Sequence, residues 1–541
     1  MDRGLHYDGP IVLVVMDGVG LTRETIGNAV RQARTEFLDR AIVNYLNIPL
    51  LASGEAVGIE PNTMGNSEVG HNALGAGQIV KQGIAHYNEA FTSGKIWESK
   101  DWQACIDNVL KNNSTLHFSG IFSDGKVHSD INHLAEMIKK AHSMGVKKIR
   151  IHCVFDGRDV APQSEPKYIQ LLENFFKQFP GCDYKIASGG GRMIAVADRY
   201  ENDWEVVKRG WDMMVHGISD RHFTDATTAI QTLRSEDSSV QDQYLPPFVI
   251  VDENDQPVGK VKEGDSFIYY DFRADRAIEI AMAFTYNDFP YFNRSNPADT
   301  ICAGNTCPKI FFAGLTEYNT DTHVPEHQLI EPVHVHNSLH AFLGERNTSQ
   351  LAISETVKFG HITYFFNGNS YQKARGEDHI EIPSYTIPFN TCPWMKSVEI
   401  TDELLKHLKD YKFIRVNFPN PDMVGHFAEL ESTIVAIEAV DIQLARIAKA
   451  VDELGGMMII TADHGNAEEL MDADGNPKTA HTTNPVPCIF YDNTENRPKY
   501  VSSNQPDAGL SNMAATITDL LGLDHPTIWR NSLIALRDTN V

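Results

Sequence analysis

Two short, continuously apolar segments lie near opposite ends of the chain, and each is followed directly by acidic or histidine side chains. The first, Ile11 to Met16, precedes Asp17, and the second, Gly456 to Thr461, precedes Asp463 and His464. Continuous apolar runs of this length are typical of buried parallel strands. In open α/β sheets, ligands bind at the carboxyl ends of such strands. The pattern therefore predicts two neighbouring strands whose ends contribute to one site.

Helical periodicity between these strands completes an α/β pattern. Apolar residues recur at helical spacing over 400–410 and 429–454, which predicts helices that alternate with strands. Two further strands, 248–252 and 266–270, flank a turn-rich segment and are expected to pair as antiparallel neighbours. The sequence thus predicts an α/β fold with largely parallel sheets. The middle of the chain repeats the alternation, with strands expected at 115–120, 148–154 and 184–187 and helices at 132–143 and 166–179.

The middle of the chain reads as a second α/β domain inserted into the first. If Asp17 and Asp463 share a site, the residues between them must include an insertion. The Gly-rich stretch 75–83 and the Pro/His-rich stretch 323–336 are the expected boundaries. We therefore expect one discontinuous domain, 1–81 with 333–541, and an inserted domain, 82–332.

Charge and cysteine content limit the partners and the compartment. The 541 residues include 47 Lys and Arg against 72 Asp and Glu, a net charge of −25. Such a surface repels polyanions, which argues against nucleic acid or an anionic membrane as partner. The seven cysteines are scattered without a paired motif, as expected of free thiols in a reducing compartment. With no signal peptide or membrane-spanning run, we expect a cytoplasmic protein, and by default a monomer.

Several carboxylates and histidines occur at spacings that suit a divalent cation. Asp422 and His426 are one helical turn apart, so both side chains can point to one ion, and His481 lies in a later loop. Taken singly, each has an ordinary structural explanation, such as a helix cap for Asp422 or a loop position for a histidine. Together the candidates supply mixed oxygen and nitrogen ligands for two neighbouring cations, which suits phosphoryl transfer. The candidate ligands are Asp17, Asp422, His426, Asp463, His464 and His481.

Ser67 is the candidate nucleophile. It follows a glycine turn and precedes an expected helix, so its hydroxyl could lie where helix N–H groups receive phosphate oxygens. The alternative is that Ser67 only caps this helix, with Glu68 complementing the helix dipole. No general base adjoins Ser67, but a divalent cation can hold a serine as its alkoxide.

Arginines beside glycine or aspartate mark the middle domain. In so acidic a chain they indicate a clamp for phosphate and carboxylate, which guanidinium binds in bidentate fashion. Ordinary ion pairs with the neighbouring aspartates are the alternative. His128 follows a strand and could donate to a substrate, exchange a proton or be a loop histidine. The arginines are Arg158, Arg192, Arg199, Arg273 and Arg276.

These segments resemble the motifs of the cofactor-independent (2,3-bisphosphoglycerate-independent) phosphoglycerate mutases of the alkaline phosphatase superfamily. The resemblance implies an alkaline-phosphatase-like three-layer α/β/α domain that holds two divalent cations, and an inserted phosphotransferase domain that binds substrate. The matching segments follow the family's order through nearly the whole chain: Val15–Gly18, Thr63–His71, Asp156–Asp159, Asp271–Arg276, Asn420–His426, Thr461–Asn466 and Ala480–Pro485.

The resemblance also implies a role for each matched residue. Ser67 would be the phosphorylated nucleophile, Asp159 would exchange the hydroxyl proton, and Lys358 would belong to the catalytic group as well as to the substrate site. One metal would be held by Asp17, Ser67, Asp463 and His464, and the other by Asp422, His426 and His481. The substrate would be bound by His128, Arg158, Asp159, Arg192, Arg199, Arg273, Arg276 and Lys358.

The implied activity is that of an isomerase of glycolysis and gluconeogenesis. It would interconvert 3-phosphoglycerate and 2-phosphoglycerate through phosphoserine, without 2,3-bisphosphoglycerate. The mixed ligands suit Mn²⁺ or Co²⁺ best, with Zn²⁺ or Mg²⁺ possible. A metal-dependent phosphatase or phosphopentomutase of the same superfamily is the alternative, because it needs the same metal ligands but no glycerate clamp. A non-catalytic acidic metal-binding or scaffold protein, in which Ser67 is only a helix cap, is the alternative from another class.

Overall fold

The computed structural model describes residues 5–198, 201, 203–319, 322–333, 335, 337–472 and 474–537. The strands are β1 (Ile11–Met16), β2 (Leu46–Asn47), β3 (Leu116–Ile121), β4 (Lys148–Phe155), β5 (Asp183–Gly191), β6 (His222–Phe223), β7 (Phe248–Ile250), β8 (Ser266–Tyr269), β9 (Phe311–Gly314), β10 (Gln350–Glu355), β11 (Glu377–Ile382), β12 (Phe413–Phe418), β13 (Met457–Thr461), β14 (Cys488–Tyr491), β15 (Tyr500–Ser502) and β16 (Ile534–Leu536). The α-helices are α1 (Ala29–Gln32), α2 (Glu36–Asn44), α3 (Ser67–Ala76), α4 (Gly83–Ser93), α5 (Lys95–Glu98), α6 (Lys100–Asn112), α7 (Ile131–Ser143), α8 (Glu165–Phe176), α9 (Trp204–Trp211), α10 (Ala226–Glu236), α11 (Ile278–Thr285), α12 (Leu339–Glu345), α13 (Thr356–Gly360), α14 (Ser397–His407), α15 (Asn420–Gly425), α16 (Leu430–Glu453) and α17 (Met513–Leu520).

The chain divides into two compact units. The first unit contains the described residues up to Gln82 and from Val333 onward, and the second unit is the continuous segment Gly83–Pro332. Each unit has its own large cluster of buried apolar side chains. The functions expected of the two domains stay predictions at this point.

The first unit is built on a seven-stranded sheet with β1 near its centre. The strand order is β11-β10-β12-β1-β13-β14-β2. Strand β14 is antiparallel to both of its neighbours, β13 and β2, and all other pairs are parallel. Ile11 lies opposite Phe413 on one side and Met457 on the other. The predicted adjacency of the two apolar strands is therefore confirmed, and the residues that follow β1 and β13 emerge at the same edge of the sheet.

Burial on both faces explains why these strands are largely apolar. Every residue of β1, β12 and β13 is buried. Helix α16, close to the predicted 429–454, buries Ile437, Val440, Leu444, Ile447 and Val451 at helical spacing. Burying a side chain of this size stabilises the fold by about 1.5–3 kcal/mol. This row of apolar side chains therefore determines which face of α16 packs against the core.

The second unit contains another seven-stranded sheet, in the order β6-β7-β5-β4-β3-β8-β9. Its neighbours are parallel except β7, which runs antiparallel to β5. The fold is thus of the α/β class with two largely parallel sheets, as predicted.

The antiparallel pairing expected between 248–252 and 266–270 is wrong. β7 pairs with β5 and β6, whereas β8 is parallel to β3 and β9. The turn that follows β7 is satisfied locally, because Val258 donates its N–H to the carbonyl of Ile250 at 3.0 Å. The fully buried run of β8 is then free to occupy an inner position between two parallel strands.

Among the described residues, no helix is both long and apolar enough to cross a bilayer. All seven cysteines lie within the described part of the chain, and none of them is in a disulfide.

Candidate metal centre

Three buried aspartates meet at the carboxyl ends of the central strands of the first unit. Asp17 follows β1 directly, Asp463 lies in the loop after β13, and Asp422 lies in α15, just after β12. Their residue exposures are 0%, 0% and 1%. So many carboxylates out of water are costly unless cations or hydrogen-bond donors face them.

Histidines complete two groups of ligand atoms. Asp17, Asp463 and His464 form the first, and Asp422, His426 and His481 form the second, with the ligand atoms of each group within 4.8 Å of one another. The first group is fully buried, whereas His426 is exposed. Nε2 of His464 is 3.5 Å from Oδ1 of Asp17 and 4.0 Å from Oδ1 of Asp422, so the two groups are adjacent.

The ring nitrogens of these histidines have a defined protonation pattern. Nδ1 of His426, His464 and His481 lies 2.7, 3.2 and 2.9 Å, respectively, from a backbone carbonyl oxygen. A carbonyl only accepts, so each Nδ1 donates its proton to that carbonyl, and Nε2 is the nitrogen that each ring turns toward the carboxylates. Nε2 of His481 is 3.2 Å from Nε2 of His426 and 3.3 Å from Oδ1 of Asp422. Metal-binding histidines show this pattern, in which the second nitrogen donates to a carbonyl.

One buried carboxylate oxygen supports the fit of a cation. Oδ2 of Asp463 has no hydrogen-bond partner. Nδ1 of His71 is 3.2 Å away, but its N–H is donated to the carbonyl of Ser67 at 2.9 Å. The carboxylate oxygens and imidazole nitrogens together form a donor set that fits Mn²⁺, Co²⁺ or Zn²⁺.

Lys358 lies among the same carboxylates. Its Nζ is 2.8 Å from Oδ1 of Asp17 and 2.7 Å from Oδ2 of Asp422, and it donates to Oγ of Ser67. Burial alone would lower the pKa of Lys358, but Asp17 and Asp422 raise it well above its ordinary value. Burial opposes ionisation of Asp422 too, yet Lys358 and His481 hold the pKa of that carboxyl well below its usual range. The ammonium and the Asp422 carboxylate therefore both stay charged.

Ser67 is the first residue of α3 and is not its cap. The cap is Asn66, whose side chain accepts the N–H of Val69 at 3.1 Å. The hydroxyl of Ser67 instead faces the cluster, with Oγ 2.9 Å from Nε2 of His464 and 3.3 Å from Oδ1 of Asp17. The helix-cap explanation of this serine is therefore wrong, because the preceding residue already fills that position.

Sequence reasoning missed Asn417, which holds the carboxylate of Asp17 from behind. Nδ2 of Asn417 donates to Oδ2 of Asp17 at 2.7 Å and lies 3.1 Å from Nε2 of His71. A buried amide near the end of the otherwise largely apolar β12 was the available signal. Lys358 had no such signal and was found only through family resemblance.

The second unit brings three of the predicted substrate residues together. Arg192 is 1% exposed, and its Nη1 donates to Asp156 at 2.7 Å and to Asp159 at 2.5 Å. Its Nη2 is 2.8 Å from Nε2 of His128. Burial and the charge of Arg192 lower the pKa of His128 to about 4, so this imidazole is neutral at pH 7. Arg192 thus shows the ion pairing with nearby aspartates that was the alternative to a clamp.

The remaining arginines are placed less uniformly. Arg158 is exposed, and the side chain of Arg273 is 50% exposed with its Nε 3.3 Å from Asp275. Arg276 is buried, and its Nη1 donates to the carbonyl of Ala197 at 2.6 Å. Arg199 lies outside the described residues.

Comparison with known proteins gives consistent matches along the chain. A profile described as the Metalloenzyme superfamily matches residues 9–525. The chain is 42% identical over 545 residues to a probable 2,3-bisphosphoglycerate-independent phosphoglycerate mutase of Leptospira interrogans, covering 97% of each protein. It is 40% identical to the 2,3-bisphosphoglycerate-independent phosphoglycerate mutase of Trypanosoma brucei brucei, again covering 97% of each. A crystal structure of Leishmania mexicana phosphoglycerate mutase at low cobalt concentration matches with a TM-score of 0.73 and 40% identity, covering 98% of each chain.

Proposed function

Because the chain belongs to the Metalloenzyme superfamily and, within it, to the 2,3-bisphosphoglycerate-independent phosphoglycerate mutases, we propose that it interconverts 3-phosphoglycerate and 2-phosphoglycerate. It is an isomerase of glycolysis and gluconeogenesis that moves a phosphoryl group between two hydroxyls of glycerate. The observation that carries this proposal is the position of Ser67, whose Oγ lies between Lys358, Asp17 and His464 at the sheet edge.

The candidate centre would hold two divalent cations. When bound, they supply positive charge that favours the serine alkoxide and offsets the charge of the transferring phosphoryl group. Mn²⁺ or Co²⁺ suits the mixed carboxylate and imidazole donors best, with Zn²⁺ or Mg²⁺ as alternatives. No 2,3-bisphosphoglycerate is required, because the serine itself carries the phosphoryl group between the two hydroxyls. One ion would be held by Asp17, Ser67, Asp463 and His464, and the other by Asp422, His426 and His481.

The residues of the first unit supply the nucleophile and its surroundings. Oγ of Ser67, as its alkoxide, attacks the phosphorus of 3-phosphoglycerate, the bond between phosphorus and the 3-oxygen breaks, and the leaving 3-oxygen takes its proton from Asp159. Nζ of Lys358 donates to that Oγ and stabilises the negative charge that develops as the hydroxyl loses its proton. The N–H groups in the first turn of α3 can receive oxygens of the phosphoserine.

The residues of the second unit bind glycerate and exchange its proton. The exposed guanidinium groups of Arg158 and Arg273 are suited to the carboxylate and phosphate of the substrate. Arg192 donates to Asp159 and to neutral His128, and so holds Asp159, which takes the proton of the 2-hydroxyl as that oxygen attacks the phosphoserine. Family resemblance adds Arg199 and Arg276 to this substrate set. Retention of glycerate separates a mutase from a phosphatase, because lost glycerate leaves phosphoserine to react with water.

A cytoplasmic location accompanies this proposal. The seven free thiols support it, because structural cysteines in oxidising compartments are usually paired.

The test is phosphorus NMR of the metal-loaded protein with 3-phosphoglycerate and no added 2,3-bisphosphoglycerate. We expect 2-phosphoglycerate to form with little free phosphate, and a sample treated with chelator to form neither. Free phosphate as the main product would favour the phosphatase alternative, because the metal centre would then act without glycerate retention. Formation of neither product with any of the four cations would overturn the catalytic assignment.

A further inference from the structure

Glu468 is a buried carboxylate that belongs to neither group of candidate ligands. It is 1% exposed and lies in the loop that follows β13. Its Oε2 accepts the N–H of Gly20 at 3.0 Å and the N–H of Asn466 at 2.9 Å. Its Oε1 accepts the hydroxyl of Thr482 and the amide of Asn484, the latter at 2.9 Å. Four donors thus fill the four lone-pair positions of one carboxylate, which leaves none for a cation.

These donors come from three loops that carry candidate ligands. Gly20 is in the loop that begins with Asp17, Asn466 follows His464, and Thr482 follows His481. Asn466, held through its N–H, also donates Nδ2 to Oδ1 of Asp422 at 3.2 Å. One side chain therefore connects residues from both ligand groups.

Glycines let Glu468 reach the backbone without an intervening water. A Cβ atom at Gly20 or at Gly465 would lie 2.3 Å from Oε1 of Glu468, closer than any real contact. Both glycines adjoin ligand-bearing segments, so the carboxylate packs directly against the loops it connects.

We propose that Glu468 is a positioning residue that fixes the spacing of the two ligand groups, and this inference rests on the proposed metal-dependent function. Charge-assisted hydrogen bonds from three loops to one carboxylate restrict how far those loops can move apart. A glutamine in its place has one acceptor oxygen for four donors, and its amide group would oppose two of them. The loops that bear Asp17, His464 and His481 would then lose their common anchor.

The neighbouring Glu469 provides a matched control. It carries the same charge, but its carboxylate accepts from Lys478 and, at 3.2 Å, from Asn484, and not from Gly20, Asn466 or Thr482. Glu469→Gln removes one negative charge beside the centre without removing the anchor. Any difference between the two variants therefore reports positioning rather than net charge.

The experiment is a titration of the metal-free full chain with Co²⁺. Calorimetry measures the affinity, and visible absorption reports the geometry around the bound Co²⁺. We expect Glu468→Gln to weaken Co²⁺ binding by about 10–100-fold, the usual loss when a group behind a ligand is removed. Its absorption spectrum should also change, because ligand geometry changes. Glu469→Gln should stay within about threefold of the unsubstituted chain and keep its spectrum.

Thermal unfolding of each metal-free variant separates positioning from simple destabilisation. Equal Co²⁺ affinity and spectrum in Glu468→Gln would overturn the inference even if its melting temperature falls, as would an equal loss in Glu469→Gln. If Glu468→Gln does not fold, Thr482→Val removes only one of the four donors and should give an intermediate loss of affinity. An unchanged affinity in that variant would also overturn the inference.

The Co²⁺ titration is done without phosphoglycerate, so its result is independent of the mutase assay. A chain that fails to form 2-phosphoglycerate but loses Co²⁺ affinity on Glu468→Gln would refute the proposed function and support the positioning role. Absence of Co²⁺ binding by the unsubstituted chain would overturn the positioning role itself.

Discussion

Two clusters of buried histidines and carboxylates, one in each unit, differ in how completely their polar atoms are paired. In the second unit, Ser188, His152, His117 and Asp265 form a row across neighbouring strands of the sheet. Successive separations between their side-chain atoms are 2.8, 3.0 and 3.2 Å. A carboxylate only accepts, so His117 donates to Asp265, His152 donates to His117 and Ser188 donates to His152. Each ring nitrogen in this row has a partner.

In the candidate metal centre of the first unit, the pairing of polar atoms is incomplete. Nε2 of His426 and Nε2 of His481 lie 3.2 Å apart, and Oδ2 of Asp463 has no hydrogen-bond partner. The row is fully paired within its sheet, whereas the cluster of the first unit keeps a buried carboxylate oxygen without a donor although Lys358 donates to Asp17 and Asp422. Burial of histidine and aspartate is thus a weaker signal of function than the absence of donors among them.

The largest expected effect comes from removing the nucleophile. Ser67→Ala should lower mutase turnover by about 10⁴-fold or more, because no other hydroxyl can take its place in the phosphoserine step. Stability should change little, since Ser67 is not the helix cap. Turnover is measured by phosphorus NMR and stability by thermal unfolding.

Asn66→Ala is the matched comparison for that serine. Loss of the cap should cost about 1 kcal/mol of stability, seen as a lower melting temperature. If Ser67→Ala instead lowered the melting temperature and retained turnover, the non-catalytic reading of this serine would return.

The next largest effect should come from disturbing the paired row of the second unit. Asp265 also accepts the N–H groups of Thr115 at 2.8 Å and Lys262 at 2.7 Å. Asp265→Asn turns one acceptor into a donor among these donors, and should lower the free energy of unfolding by about 3 kcal/mol. Urea denaturation measures this loss.

An exposed aspartate and histidine pair gives the control for Asp265. Asp255 accepts from His222 at 2.8 Å, but its side chain is 71% exposed. Asp255→Asn should change stability by less than about 0.5 kcal/mol. Neither variant should alter Co²⁺ affinity, and a large loss of affinity in Asp265→Asn would contradict the division between the two clusters.

The smallest effect is a pH dependence carried by the row. Burial lowers the pKa of both His117 and His152. The folded protein keeps them neutral while the unfolded chain takes up protons below about pH 6.5, so stability falls as pH decreases. His152→Gln removes one such group and should make the decline shallower by up to about 1.4 kcal/mol per pH unit. Urea denaturation from pH 5 to pH 7 gives the free energy of unfolding of the His152→Gln variant and of the unsubstituted protein. Equal slopes of this free energy against pH would show that His152 does not take up a proton on unfolding.

Strand-end residues were the most predictable part of the molecule. Asp17 and Asp463 follow apolar runs of the length typical of buried strands, and parallel neighbours bring their ends together. The pairing of 248–252 with 266–270 failed because a turn signal between two strands does not reveal a third strand that binds one of them. Local sequence determines the turn, but the choice of partner depends on the whole sheet.

Residues that act through other residues were the least predictable. Asn417 and Glu468 are unremarkable polar residues until distant loops converge on them. For Arg192 the sequence left a substrate clamp and an ion pair both open, and the structure pairs it with Asp156 and Asp159. Their catalytic or binding roles stay predictions until the variants are measured.

The central position of β1 has a consequence for the synthesis of the protein. Its partners β12 and β13 begin about 400 and 450 residues later in the chain. At ~5–20 residues per second, the ribosome needs roughly 20–90 s to supply them. The second unit is continuous and lies wholly within that interval, so it can fold while β1 is still an unpaired apolar strand. Strand β1 therefore needs protection from aggregation during most of the protein's translation. The candidate centre itself cannot form until His481 has been synthesised.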